Sequence, residues 1–129
     1  MDLDENGLVP RERIKAHRVN CRARIERRRS RGRDTDLLDG ALALYEWVLG
    51  EASAPISGPA VAPTAAAVGV EERLARSAIY GERGAPEVVS QGWAVGIEST
   101  AMWLRDLTDE PADGLLPDEE AELYSDSDV

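Results

Sequence analysis

The chain is short of the residues that build most catalytic and metal sites. Its 129 residues include one cysteine, one histidine and no phenylalanine. A single cysteine excludes an intrachain disulfide. One cysteine and one histidine also fall short of a familiar zinc site or cysteine–histidine nucleophile set. The sole lysine, Lys15, lies outside any GxxxxGK phosphate loop, and no GxSxG motif occurs. The sequence therefore predicts a protein that is not an enzyme, has no cofactor or metal, and has no evident small-molecule substrate.

Two further absences concern location. No apolar run approaches the roughly 18–20 residues that a membrane span requires, and the acidic start MDLDENG lacks the apolar core of a secretory signal. Unpaired Cys21 fits a reducing compartment. We therefore expect a cytoplasmic protein without membrane contact.

The charge is unevenly distributed, although the formal net charge is -10. Residues 109–129 contain no basic residue, which predicts an acidic, mostly disordered tail. Residues 11–33 instead hold eleven of the fifteen basic residues, and these are the candidate residues for binding a partner or nucleic acid: Arg11, Arg13, Lys15, Arg18, Arg22, Arg24, Arg27, Arg28, Arg29, Arg31 and Arg33. Such asymmetry bears on partners and solubility rather than on fold.

The basic segment 11–33 is expected to be a helical arm, because Pro10 suits a helix start and no proline or glycine follows before Gly32. Ile14, Cys21 and Ile25 form a thin apolar stripe at helical spacing and are the predicted docking anchors. A stripe this narrow predicts a helix that docks lightly or becomes ordered only with a partner.

The remaining pattern predicts an all-α protein with a small three- to four-helix arrangement. We expect a disordered lead over 1–10, a helical core over 34–108 and the acidic tail over 109–129. Within the core, helices are expected near 35–50, 64–80 and 86–108, with a proline-rich connector over 51–63. The candidate residues for the core or an oligomer interface are Leu38, Leu42, Tyr45, Trp47, Leu49, Gly92, Trp93, Gly96, Ile97, Trp103 and Leu104.

Two features of the last helix have competing interpretations. Gly92 and Gly96 lie four residues apart, which suggests a close helix crossing, with Gly40 or Ala43 as its counterpart; otherwise they are exposed glycines that the helix tolerates. For the three tryptophans core packing is the favoured interpretation and a partner-facing role is the alternative; Trp103, which lies beside the main apolar stripe, is the best candidate for that alternative.

The core helices total only about fifty residues, and small domains bury a low fraction of their surface. We therefore predict a homo-oligomer, most simply a dimer, or a subunit of a larger assembly. The connector would allow copies to exchange helices.

Two functions remain open. The first is a non-enzymatic structural or adaptor protein that acts through self-assembly or docking on a larger complex. The second is a small nucleic-acid-binding accessory or regulatory protein, in which the arm contacts the DNA or RNA backbone and the acidic tail modulates it. For the arm itself, three partners are possible: nucleic acid, an acidic groove of a protein, or the chain's own tail.

Overall fold

The computed structural model describes residues 3–59 and 61–115, with only the backbone of Leu115 included. These residues form five helices: α1 (Arg11–Ser30), α2 (Asp36–Val48), α3 (Ala65–Ile79), α4 (Gln91–Leu104) and α5 (Ala112–Leu115). No β-strand occurs in this part of the chain. The predicted all-α class is confirmed. Most of the predicted acidic tail, residues 116–129, lies outside the described residues.

Helices α2 and α4 form the centre of the fold and run in the same direction. Near their starts Gly92 approaches Asp36, and near their ends the Tyr45 and Trp103 rings lie 6.3 Å apart. Between these points Gly40 lies on the backbone of α4 and Gly96 on the backbone of α2. A Cβ at either glycine would overlap a carbonyl oxygen of the other helix, so this close crossing requires glycine. The predicted crossing between Gly96 and Gly40 is thus present.

Helix α3 packs antiparallel against α4, as the Gln91–Ile79 and Arg105–Glu72 hydrogen bonds indicate. The helical spacing of Ala67, Val70, Leu74 and Ala78 predicts that these residues face inward, but Val70 is exposed and the others are only partly buried. The buried positions of α3 are instead Val68, Gly69, Glu71, Glu72 and Ala75. The pattern failed because two glutamates face inward, each held by hydrogen bonds.

The buried carboxylate of Glu71 fixes the connector between α2 and α3. It accepts hydrogen bonds from the backbone N–H groups of Ile56 and Ser57, at 2.9 and 2.8 Å. The indole of Trp47 donates to the carbonyl of Val61 at 2.9 Å. These hydrogen bonds satisfy polar groups whose burial would otherwise cost free energy. They hold the predicted proline-rich connector against α2 and α3.

Helix α4 begins later than predicted. The side chain of Ser90 accepts a hydrogen bond from the N–H of Trp93 and caps the helix, so residues 86–89 precede it. Val89, which lies within the helix predicted over 86–108, precedes α4 and is 76% exposed. Proline suits a first helical turn, but the serine cap defines the start here.

The lead also differs from expectation. Residues 3–10 are not a disordered segment: Leu8 and Val9 are buried, and the N–H of Val9 donates to the carbonyl of Leu104 at 2.9 Å. The Asp4 carboxylate accepts hydrogen bonds from the N–H groups of Asn6 and Leu8 and closes a turn. Two adjacent apolar residues were enough to fold this segment onto the end of α4.

Candidate functional site

Helix α1, the predicted arm, packs antiparallel on α2. Its predicted anchors Ile14, Cys21 and Ile25 are all buried. Arg24 and Arg28 lie on the same side and are also buried. The helix is therefore part of the folded body, and the expectation that it docks lightly or awaits a partner was wrong. Two arginines extend the thin apolar stripe, because their aliphatic stems can cover apolar surface.

One flank of α1 contacts α2 and the loops at its ends. Arg22 pairs with Glu46 at 3.3 Å and Arg29 pairs with Asp39 at 3.2 Å. The guanidinium of Arg11 donates to the carbonyl of Leu49 at 2.9 Å. Arg18 pairs with Glu51, and Arg28 donates to the carbonyl of Asp34 at 2.9 Å. Much of the charge that suggested an external partner thus contacts the protein's own body.

The other flank of α1 holds α5. His17 Nδ1 lies 2.8 Å from Asp113 Oδ2, and Tyr45 of α2 donates its hydroxyl to Asp113 Oδ1 at 2.5 Å. The guanidinium of Arg24 donates to the main-chain carbonyl of Asp113. The N–H of the preceding residue, Ala112, donates to Thr100 Oγ1 of α4 at 3.2 Å. We call this set of contacts around Asp113 the α5 clasp. It joins α1, α2, α4 and α5.

Burial and hydrogen bonding oppose each other at the clasp. Asp113 is 3% exposed, and burial alone would raise its pKa, but the hydrogen bonds from His17 and Tyr45 hold that pKa below its ordinary value. Burial, together with the adjacent Asp113 carboxylate, raises the pKa of Tyr45 above its ordinary range. The clasp therefore contains an ionised aspartate and a neutral tyrosine at neutral pH.

Aromatic rings close the clasp from the side of α4. The His17 and Trp103 ring centroids lie 4.6 Å apart in an edge-on arrangement, and the Arg13 guanidinium lies 5.9 Å from the Trp103 ring. Trp103 is only 1% exposed. Trp103 therefore packs in the core, as the favoured interpretation of the tryptophans predicted, and the partner-facing alternative fails because α1 covers the ring.

Cys21 is a buried thiol inside the interface between α1 and α2. Its Sγ donates to the carbonyl of Leu38 at 3.3 Å, and burial raises the pKa of the thiol to about 12. A protonated thiol enclosed in this way has the character of a packing residue rather than of a nucleophile.

Within the part of the chain that the structure describes, the outer side of α1 is largely exposed. We call it the outer stripe; it comprises Ala16, Val19 and Ala23, of which Val19 is 62% exposed. Lys15 and Arg22 border it on one side and Arg27 on the other, and two exposed carboxylates, Glu12 and Glu26, lie at its ends, with Glu12 paired to Lys15 at 3.7 Å. At its C-terminal end four arginines are exposed, and we call them the basic end: Arg27, Arg29, Arg31 and Arg33. The stripe is fixed from behind by the two docked flanks.

The other predicted core positions are distributed as follows. Leu38, Tyr45, Trp47, Leu49, Gly96, Ile97 and Leu104 are buried, whereas Leu42, Gly92 and Trp93 are partly buried. The exposed large apolar side chains are scattered among Leu3, Val19, Val70, Tyr80, Val89 and Leu107.

A second charged network links α3 to α4 and its C-terminal cap. Glu72, almost fully buried, pairs with Arg76 at 2.9 Å and with Arg105 at 3.1 Å, and Arg76 also pairs with Glu98 at 2.9 Å. The hydrogen bond from Arg76 to Glu98 raises the pKa of Arg76. All four side chains pair with one another, so this network stabilises the contact between α3 and α4 and indicates no ligand site.

Sequence reasoning missed the α5 clasp. His17 and Asp113 are 96 positions apart, and Asp113 is one of many acidic residues in a segment expected to be solvated. Nothing in the local sequence separates it from its neighbours.

Among the described residues no group of histidine, cysteine, aspartate and glutamate side chains could hold a metal ion. The described helices also include none long and apolar enough to cross a membrane. No family model matches the chain, and the searches of curated proteins and of solved structures found no match.

Proposed function

We propose that this chain is a non-enzymatic helical adaptor that acts by docking on a larger assembly or on another copy, with the outer stripe of α1 as its contact surface. The observation that carries the proposal is that α1 is held on both flanks while its outer side is left exposed. A helix fixed in this way presents Ala16, Val19 and Ala23 without an ordering cost on binding. Their spacing of three and four residues is the pattern of a helix that lies in a groove.

The charges beside the stripe favour an acidic partner. Lys15, Arg22 and Arg27 border the apolar positions, so a partner groove with acidic rims would be complementary. Complementary rim charges mainly accelerate and orient association, whereas the apolar centre contributes most of the affinity.

Self-assembly is one form of this proposal. It was predicted from the small size of the core, and the buried portions of α1, α5 and residues 3–10 enlarge that core. The expected need for a second copy is correspondingly smaller, so the outer stripe rather than core size now supports assembly.

The test compares two matched substitutions of exposed valines, Val19→Glu on the outer stripe and Val89→Glu outside α1. Each variant is immobilised and used to capture binding proteins from a lysate of its native cells. Light scattering of each purified variant then measures whether it is a monomer or a dimer. We expect a specific captured protein, or a dimer, that Val19→Glu loses and Val89→Glu retains. Equal capture by both variants, or a monomer that captures nothing, would contradict the proposal.

A nucleic-acid-binding accessory role is the second candidate, and the basic end favours it. Four exposed arginines around the C-terminus of α1 could contact phosphates, and such binding would weaken steeply with salt. The arginines have no aromatic neighbours in the sequence, so contacts would be to the backbone rather than to stacked bases.

A salt titration with duplex DNA and with single-stranded RNA tests this role. The variant replaces Arg27, Arg31 and Arg33 by glutamine, and the control replaces the exposed Arg73 and Arg83 in the same way. Loss of binding in the first variant alone supports the role. No binding by the unmodified protein at low salt rejects it.

A further inference from the structure

The α5 clasp holds the last described residues of the chain beside the basic helix. Asp113 contacts both His17 and Arg24, which lie two turns apart on α1, or about 10 Å. Helix α5 ends at Leu115. Asp113, two residues before the end of α5, therefore lies beside the middle of α1, on the flank that carries Arg13, Arg27 and Arg31.

The sequence from 116 to 129, LPDEEAELYSDSDV, is complementary in charge to that helix. It carries six acidic residues and no basic residue: Asp118, Glu119, Glu120, Glu122, Asp126 and Asp128. On the described surface the side chains of Arg13, Arg27 and Arg31 are exposed. Opposite charges tethered this closely meet at a high effective concentration, because the linker is only a few residues long.

The apolar pattern is complementary as well. Leu123 and Tyr124 follow the acidic run directly, and the outer stripe lies on the same helix as the basic side chains. Eight extended residues reach about 26 Å, whereas Ala16 and Ala23 are separated by about 10 Å along the helix. The leucine–tyrosine pair can therefore reach the whole stripe from Leu115.

We propose that residues 116–129 dock on the outer side of α1 of the same chain, with their carboxylates on the exposed arginines and Leu123–Tyr124 on the outer stripe. The inference rests on the proposed function and deepens it in two respects. It makes the tail an internal competitor for the docking surface. It also names the partner class: an acidic segment of another protein that carries a similar apolar pair.

The direct test measures where the tail lies in the full-length protein. A nitroxide is attached at Ser127→Cys; the native thiol of Cys21 is buried and does not compete for the label. We expect paramagnetic broadening of backbone amides on the outer side of α1 at low salt, around Val19 and Arg27. The broadening should disappear near 1 M salt, where the screening length is about 3 Å.

Two outcomes overturn the proposal. Amides outside α1 broaden instead, or no amide outside the tail broadens at low salt. A mixture of nitroxide-labelled protein and unlabelled ¹⁵N protein tests the remaining alternative. Broadening of α1 in the ¹⁵N copy would place the tail on a neighbouring molecule and overturn docking within one chain.

Binding to a probe tests the competition independently. The probe is an acidic peptide that copies residues 116–129. In the protein variant, the six acidic residues within 116–129 are replaced by the corresponding amides, and Asp113 is kept. Removing the internal competitor should tighten probe binding by about threefold or more, because the binding-competent fraction rises. Unchanged affinity would reject the competition.

The two experiments separate the two proposals. Broadening on α1 without any external partner supports the tail contact even if the adaptor role fails. A partner that depends on Val19, in a protein whose tail broadens nothing on α1, supports the adaptor role and rejects the tail contact.

Discussion

Helices α1 and α4 lie against the same helix, α2, but by opposite means. Glycines bring the backbones of α4 and α2 into contact, and the crossing tolerates no added atom at Gly40 or Gly96. Helix α1 instead packs through three apolar anchors, with charged and polar bonds along both flanks. One contact depends on the absence of side chains and the other on many long ones. A dense run of arginines can therefore be part of a fold rather than a sign of an external ligand.

The largest expected effect comes from filling the glycine crossing. Gly96→Ala places a methyl group on the carbonyl of Leu37, so the helices must separate, and we expect a loss of about 3 kcal/mol of unfolding free energy. Urea denaturation followed by circular dichroism measures this loss. Gly92→Ala is the control, because its Cβ would lie at 3.3 Å from that of Asp36 and alanine favours helix. Equal losses in both variants would contradict the crossing.

The α5 clasp ranks next. Asp113→Ala leaves the Tyr45 hydroxyl and His17 without their acceptor in a buried site, and we expect a loss of about 2–3 kcal/mol. The same denaturation experiment measures it. Asp109→Ala is an exposed acidic control in the same segment and should change stability by less than about 0.5 kcal/mol. An unchanged free energy of unfolding in Asp113→Ala would show that the clasp does not hold α5.

The clasp also predicts an acid-sensitive stability. The ordinary pKa of the Asp113 carboxyl is 3.8, and folding lowers it. The folded protein therefore binds a proton at Asp113 less readily than the unfolded chain does. The stabilisation is complete above 3.8 and is lost as the pH falls through the lower folded-state pKa. Urea titrations from about pH 7 to about pH 2 should show this loss, and Asp113→Asn should lose less stability over the acid range. An identical acid dependence in the variant would exclude Asp113 as its source.

The smallest effect is expected for the ion pairs on the flank of α1 that contacts α2. Arg22→Gln removes a solvent-exposed pair with Glu46 and should cost less than about 0.5 kcal/mol. Arg24→Gln, on the same helix but buried against the carbonyl of Asp113, should cost about 1–2 kcal/mol. Denaturation in low and high salt separates the two, since only the Arg22 contribution should be screened. A larger loss for Arg22 would reverse the expected importance of the flanks.

The local sequence predicted those features that depend on neighbouring residues. Apolar residues at helical spacing placed α2 correctly, and the same spacing selected Ile14, Cys21 and Ile25 as the inward side of α1. The Gly92–Gly96 pair predicted a close crossing, because a mid-helix glycine needs a compensating contact. Thr64, the first residue of the helix predicted over 64–80, caps α3.

The failures share a physical cause. The wrong face was assigned to α3 because Glu71 and Glu72 are buried, and their acceptors are satisfied by the connector and by Arg76 and Arg105. The partner-facing alternative for Trp103 fails because α1, which covers its ring, comes from a distant part of the chain. Sequence patterns predict that a polar residue is exposed, because its buried hydrogen-bond partners are visible only in the tertiary structure.

The sequence by itself therefore determined the helices, the glycine crossing, and the opposite charges of the two ends of the chain, because these follow from residue spacing and composition. Only the tertiary structure decided what the charges contact. An arginine or aspartate carries the same charge in any context, but its environment depends on which distant groups the fold brings within hydrogen-bonding distance. That is why the basic helix, which looked like a free arm, is held to the body on both flanks and offers only its outer side.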